Sequence, residues 1–230
     1  QLSPKQAVEL TLAAKAAQGD CIGLAYTYSE PLVWYEYVRE TAELAQQAGL
    51  KNVVVTNGFV REEPLKELLP FLDALNVDVK AFTPDYYQRW CKGDLDPVLR
   101  TVELAVPKCH VEITTLLIPG LNDSEAEIRS LIEWVAGLSA DIPLHFSRYF
   151  PNYRLELPPT PLESMERAYT LAREKLHYVY LGNLPAEAGK DTCCPQCLAV
   201  LIKRRGYFVE IVGLKGKKCT NCGEIIKIVI

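Results

Sequence analysis

Five apolar runs in this chain each deliver a polar or charged side chain: CIGLAYTYS leads to Glu30, NVVVT to Asn57, NVDV to Lys80, VEIT ends on Thr114, and IPL leads to His145. Asp78 lies two residues before Lys80, and Glu112 two before Thr114. Strand side chains alternate faces, so Asp78 and Lys80 share one face, as do Glu112 with Thr114 and His145 with Ser147. Ionised groups on the inner face of a parallel sheet lose hydration unless something compensates them. The set therefore implies either a pre-paired network, with Asp78 bridging to Lys80, or a zwitterionic ligand. For His145, a satisfied core histidine and a ligand contact are equal alternatives. A second constellation is Cys194-Pro195-Gln196-Cys197 with Cys219-Thr220-Asn221-Cys222-Gly223, 21 residues apart. Four thiolates on two such turns close a tetrahedron with sulfur about 2.3 Å from zinc. A segment of roughly 35 residues lacks the core to fold without such a staple. Zinc is the expected ion, with rubredoxin-like iron and a redox dithiol as alternatives.

These side chains need elements to hold them. The five run endpoints are 27, 23, 34 and 31 residues apart, about one strand-loop-helix unit each, with a helical pattern between most of them. That is the layout of a β/α barrel or an open parallel sheet, in which the carboxyl ends of the strands hold the ligand. Helices are expected at 4–18, 33–48, 62–74, 95–106, 123–136 and 161–175. Strands are expected at 21–28, 52–56, 76–81, 110–117, 142–149 and 177–181. Ser3 and Pro4 are start signals for the first helix, whose apolar face is Ala7, Val8, Leu10, Leu12 and Ala16, and Gly19-Asp20 closes it. Asn122 or Asp123 is expected to cap helix 123–136. Leu157-Pro158-Pro159-Thr160-Pro161 reads as a rigid surface connection. Trp34, Tyr35 and Tyr37 read as helix packing, and Cys21, Cys91 and Cys109 as buried thiols. A composition change at Pro185 to Asp191 divides the chain into residues 1–188, the α/β portion, and residues 189–230, a ribbon with strands AVLIKR and YFVEIV turning at Arg205-Gly206.

With 230 residues, 49% hydrophobic and 23% charged, the chain can bury one good core and a small appendage, and disorder is excluded. Apolar stretches fall well short of the roughly 18 residues a membrane helix needs. Without a signal peptide at its start, the chain reads as cytoplasmic. It begins at Gln1, and its one methionine is Met165, so an upstream segment is expected to be missing. Residues 191–230 carry seven basic against three acidic side chains, a charge of +4, which leaves −8 on residues 1–190. A basic tail can mean nucleic acid, but a solvated surface is the expected reading, and nucleic acid is not an expected partner. No G-x-G-x-x-G, P-loop or G-x-S-x-G elbow is present, and no H-x-x-x-H pair offers a catalytic zinc site.

The runs GLAYTYSEP, VVVTNG, VDVKAF with the following W-C-K-G, HVEITTLLIPGLND, PLHFSRYFPNY, YVYLGNLP and the closing CPxC…CxxCG resemble, in order and over essentially the whole chain, the radical SAM enzymes of the AmmeMemoRadiSam system, relatives of the glycyl-radical-enzyme and pyruvate formate-lyase activases. The resemblance implies a partial β/α barrel of radical SAM type with a C-terminal zinc-ribbon-like domain. It implies S-adenosylmethionine and a [4Fe–4S] cluster that together yield a 5′-deoxyadenosyl radical. It places Glu30 at the methionine amino group, Asn57 in the T-N-G motif, Asp78 at the ribose and Lys80 at the methionine carboxylate. Thr114 and His145 then flank the adenosyl group, and Cys194, Cys197, Cys219 and Cys222 hold zinc. The family's C-x-x-x-C-x-x-C cluster motif occurs nowhere in this chain, and R-Y-F-P stands at Arg148 to Pro151 where relatives read R-F-H-P. The chain as given is therefore expected to bind the cofactor without performing the chemistry. The substrate is unknown, a protein among the candidates, and a Memo-like protein is a candidate partner. Two readings compete: a Schiff-base lyase acting through Lys80, and a non-enzymatic interaction protein working through the ribbon.

Overall fold

The computed structural model describes residues 2–184, 189–206 and 208–228. The main sheet has six strands, β1 (Gly23–Tyr26), β2 (Lys51–Thr56), β3 (Ala74–Asp78), β4 (His110–Leu117), β5 (Leu144–Arg148) and β6 (Val179–Gly182). Their order in the sheet is their order in the chain. The β1/β2, β2/β3 and β5/β6 ladders are parallel. An order that never reverses excludes the doubly wound winding. Between the strands lie α1 (Pro4–Gln18), α2 (Tyr35–Gln47), α3 (Glu62–Leu68), α4 (Pro84–Tyr86), α5 (Leu95–Ala105), α6 (Glu125–Leu138) and α7 (Leu162–Arg173). The chain divides into two compact units, Gln1–Lys80 with Tyr87–Ile113, and Ala81–Tyr86 with Thr114–Ile230.

In the first unit, Ser3 caps α1 as expected. Its hydroxyl accepts from Gln6 N, and the Gln6 side chain accepts in return from Ser3 N at 3.0 Å, a capping box. The expected apolar face is only partly used. Ala7 and Val8 are buried, Val8 against Ala45 and Leu50, while Leu10 and Leu12 are 60% and 40% exposed. Helix α3 stops at Leu68 rather than running to 74. Pro70, inside a 3-10 turn over Leu69–Phe71, has no N–H to continue the ladder. A 3-10 turn at Pro31–Trp34 precedes α2, and α4 runs into a π-helical turn at Tyr87–Cys91; neither was expected. Trp34 is 66% exposed on its turn, not packed.

Two polar networks hold this unit's strands. Asn52, fully buried, accepts from Tyr26 Oη at 2.9 Å and donates to the carbonyls of Ala42 and Phe71. Burial pushes the Tyr26 phenol well above its ordinary pKa. At the amino-terminal strand ends Asp73 binds Lys51 at 2.6 Å and Asn52 N at 2.9 Å through its carboxylate. Its backbone donates to Asn52 O at 2.9 Å and accepts from His110 N at 3.0 Å.

In the second unit, Ser124 caps α6, accepting from Glu127 N. Asn122 and Asp123, the expected caps, fold the turn before it instead. Asn122 Oδ1 accepts from Ile118 N at 2.7 Å and its amide donates to Leu116 O at 2.8 Å, while Asp123 accepts from Gly120 N at 2.7 Å. The Pro-rich segment is not only a surface connection, since Thr160 is fully buried. Its hydroxyl donates to Leu117 O at 2.6 Å and accepts from Tyr149 N at 3.0 Å, tying the end of β4 to the residue after β5.

The ribbon consists of a three-stranded antiparallel sheet, β7 (Thr192–Cys193), β8 (Val200–Arg205) and β9 (Phe208–Ile211), and a hairpin of β10 (Leu214–Lys215) and β11 (Lys218–Cys219). Residues 185–188 of the composition break, and Tyr207 of the second expected strand, lie outside the described residues. Tyr178, at the entry to β6, packs into the ribbon core with Cys194, Leu201, Ile202, Cys219 and Ile226. Lys227 pairs with Asp141 at 2.7 Å. Burial raises the Asp141 pKa, but Lys227 and His177 outweigh it and hold the carboxyl below its ordinary value.

Candidate functional site

The first unit brings Glu30 and Asn57 together. Glu30 Oε1 accepts from Leu32 N at 3.0 Å and Thr56 Oγ1 at 2.7 Å, and Oε2 accepts from Asn57 N at 2.7 Å. The carboxylate thus clamps the segment after β1 to the end of β2. Asn57 Oδ1 accepts from Phe59 N at 2.8 Å, an Asx turn that redirects the chain. Gly58 has φ of +71°, and a Cβ there would stand 2.8 Å from Val77 Cγ1; T-N-G is a corner that only glycine can turn. A carboxylate offers about four lone-pair sites, so Glu30 retains acceptor capacity beyond these three bonds.

The β2/β3 register pairs Thr56 with Val77, so Asn57 and Asp78 follow at the same end of neighbouring strands. Val77 and Val79 are fully buried. Asp78 and Lys80 alternate with them and meet, Nζ to Oδ2 at 2.5 Å, with side chains 32% and 38% exposed. Lys80 N donates to Tyr87 Oη at 3.0 Å, and Tyr87 is buried, so the π-helical turn holds the backbone that carries the lysine. Cys91, expected to be buried, is exposed; partial desolvation raises its pKa, an effect that Lys80 opposes. Cys109, also expected to be buried, is half-buried, and desolvation pushes its thiol up to about 12. Glu112 lies 3.1 Å from His110 Nε2, a pairing along its own strand.

In the second unit, Thr114 lies on the half-exposed face of β4, which alternates strictly with its buried face. His145 stands opposite Tyr180 in the β5/β6 ladder, and their rings stack with centroids 5.0 Å apart at 25°. The Tyr180 partner had no signal in the sequence, because cross-strand pairing depends on a register that one strand alone does not encode.

The ribbon brings Cys194, Cys197, Cys219 and Cys222 within 4.8 Å of one another. Cys194 Sγ lies 3.6 Å from Cys222 Sγ, and Cys197 Sγ 3.7 Å from Cys219 Sγ. A tetrahedron with metal–sulfur bonds of about 2.3 Å has edges of about 3.8 Å, so the four fit a single ion. A four-iron cluster carries its thiolates on four separate corners and needs them much farther apart. A hydrogen bond from Asn221, then one from the Ala199 backbone, hold Cys197 down at about 6. The Glu224 backbone pulls Cys222 down too, but desolvation and then the neighbouring thiols hold it up at about 12. One thiolate opposes the next, an opposition a cation would relieve.

Residues 1–132 match the Radical SAM superfamily. The chain belongs to that superfamily. An uncharacterized protein of Methanocaldococcus jannaschii is 42% identical over 236 residues, taking in all of this chain and 68% of that protein. The benzylsuccinate synthase activating enzyme of Thauera aromatica is 26% identical over 200 residues, 84% of this chain and 55% of the enzyme. A domain of pyruvate-formate lyase-activating enzyme from Bacteroides vulgatus shares the fold, with a TM-score of 0.61 at 20% identity over 70% of this chain and 99% of that domain. This radical SAM chain is thus activase-like, and its family implies S-adenosylmethionine and an iron–sulfur cluster. Among the described residues, no helix is long and apolar enough to cross a membrane.

Proposed function

We propose that this chain is the S-adenosylmethionine-binding core of a cytoplasmic radical SAM enzyme of the AmmeMemoRadiSam type, with residues 1–188 forming a partial β/α barrel and residues 189–230 a zinc ribbon. The observation that carries the reading is the half-exposed Asp78–Lys80 pair at the strand end beside the Glu30–Asn57 clamp. An acid and an ammonium at one rim can each exchange partners with a zwitterion. Glu30 receives the methionine ammonium through its remaining acceptor capacity, Lys80 the carboxylate, and Asp78 the ribose hydroxyls, with Asn57 fixing the corner. Thr114 and His145 bound the adenosyl portion. With a reduced [4Fe–4S] cluster, the bound sulfonium supplies one-electron chemistry. This chain's own residues do not fit that cluster, because its sequence lacks C-x-x-x-C-x-x-C and the ribbon quartet is spaced for one ion. Their part is to bind, orient and shield the cofactor. The radical's recipient is a substrate yet to be identified, a protein among the candidates, and a Memo-like protein is a candidate partner.

Equilibrium dialysis of the 230-residue chain against S-adenosylmethionine tests the reading. Binding is expected, and Lys80→Ala should weaken it about tenfold or more, as a charge-assisted contact of about 1.5–3 kcal/mol implies. The 230-residue chain should form no 5′-deoxyadenosine under anaerobic reduction. No binding at millimolar ligand overturns the proposal, and borohydride trapping of a carbonyl compound on Lys80 would favour a Schiff-base lyase instead.

A further inference from the structure

Tyr180 joins two parts of the second unit. On one side its ring stacks on His145. On the other its hydroxyl shares a 2.7 Å hydrogen bond with Thr192 Oγ1, and Thr192 is 3% exposed. Arg204 of β8 donates from Nη1 to the same Thr192 hydroxyl at 2.6 Å and lies over the Tyr180 ring, 5.3 Å from its centroid. Asp191 Oδ1 accepts from Arg204 N at 2.9 Å. Thr192 stands two residues before Cys194, and Leu201 of β8 packs with Cys194 and Cys219 in the ribbon core.

The path from the four thiols to the imidazole is thus short and made of oriented contacts. A metal that closes the quartet fixes β7 and β8, which fix Thr192 and Arg204. These in turn hold the Tyr180 ring, which lies stacked against the His145 imidazole. We propose that the ribbon acts as a metal-dependent positioning brace for His145, with Tyr180, Thr192 and Arg204 as positioning residues. That this matters for the cofactor rests on the proposed placement of His145 beside the adenosyl group; the brace itself does not.

Diethyl pyrocarbonate labelling of the 230-residue protein, read peptide by peptide, tests the brace. The chain has three histidines, and His110, paired with Glu112 in the other unit, is the internal control. Arg204→Met, with metal content checked by a chelating dye, should raise the rate at His145 about threefold or more and leave His110 unchanged. Removing the ribbon metal with EDTA should do the same, and Arg204→Lys should restore part of the protection. An unchanged His145 rate in both Arg204→Met and the chelated protein overturns the proposal. If both histidines rise together in Arg204→Met, Tyr180→Phe decides, since it removes only the hydroxyl: a rise confined to His145 supports the brace, and no rise sinks it. Equilibrium dialysis with S-adenosylmethionine separates the two readings. A loosened His145 with unaltered affinity removes His145 from the cofactor site and leaves the brace standing. Lost cofactor binding in Arg204→Met, with His145 labelling unchanged both there and in the chelated protein, overturns the brace alone.

Discussion

Replacing Glu30 by Gln is the sharpest probe of the rim, because it removes the charge and alters hydrogen-bond polarity with almost no change of shape. The carboxylate accepts three bonds of 2.7–3.0 Å, two on Oε1 and one on Oε2. An amide can keep its oxygen on Leu32 N and Thr56 Oγ1, but its NH2 then faces the Asn57 N–H, donor against donor. A bond to a charged group contributes about 1.5–3 kcal/mol. Glu30 is half-buried, so water can partly replace it, leaving a loss of about 1–2 kcal/mol. For a chain of this size that lowers the Tm by about 3–6 °C. Glu30→Ala, which removes all three bonds, should lose about twice as much. Thermal unfolding followed by circular dichroism, without ligand, is the assay. A Tm within 1 °C of the parent for both variants would show that the clamp does not hold β1's exit to β2, and Glu30 would then be free for a ligand alone.

Thr160→Val keeps the shape of the side chain but leaves Leu117 C=O and Tyr149 N–H buried without that partner, so stability should fall by about 2–4 kcal/mol, with Thr160→Ser retaining most of it, by urea denaturation. Burial raises the Glu127 pKa above its ordinary value, against the lowering effects of Phe82 N–H and Thr83, so this group favours folding at low pH and loses that contribution as pH rises through its folded pKa. Glu127→Gln should therefore be more stable than the parent at pH 7, with the gap closing near about pH 4. The ribbon should carry one equivalent of zinc per chain, released with acidification as the thiolates protonate and absent from a Cys197→Ser, Cys222→Ser double variant; a metal-free ribbon that keeps its near-ultraviolet dichroism would refute this.

The alternation was legible because it is carried by period and spacing. Strand β4 falls at the expected 110–117, whereas β3 ends at Asp78, short of the expected 81, so Lys80 reaches Asp78 from just beyond the strand rather than from within it. Element ends were less legible, for local reasons. Ser124 took the cap because Asn122 and Asp123 found backbone partners in the preceding turn, a competition that three adjacent capping residues leave undecided. Exposed Leu10 and Leu12 show that helical period identifies a face but not the surface that covers it. The π-helical turn that pins Lys80 through Tyr87 and the Tyr180–Thr192–Arg204 chain were invisible. The first rests on a π-helical turn seven residues on that no hydrophobic period announces, and the second joins residues brought together by strand pairing. Two C-x-x-C knuckles, by contrast, announced their meeting, because few purposes other than a shared ion place thiols at that spacing.

Asp73 at the amino-terminal ends of β2, β3 and β4 has an implication for what the opposite rim is free to become. One residue there fixes Lys51, Asn52 and His110, so the strands are aligned from the end opposite the proposed cofactor site. Segments after β1, β2 and β3 can then be lengthened, recharged or exchanged without disturbing strand alignment. Relatives acting on dissimilar recipients could share this lower seam while differing almost entirely above it, and a chimera joined just beyond Thr56 or Asp78 would inherit its alignment from Asp73.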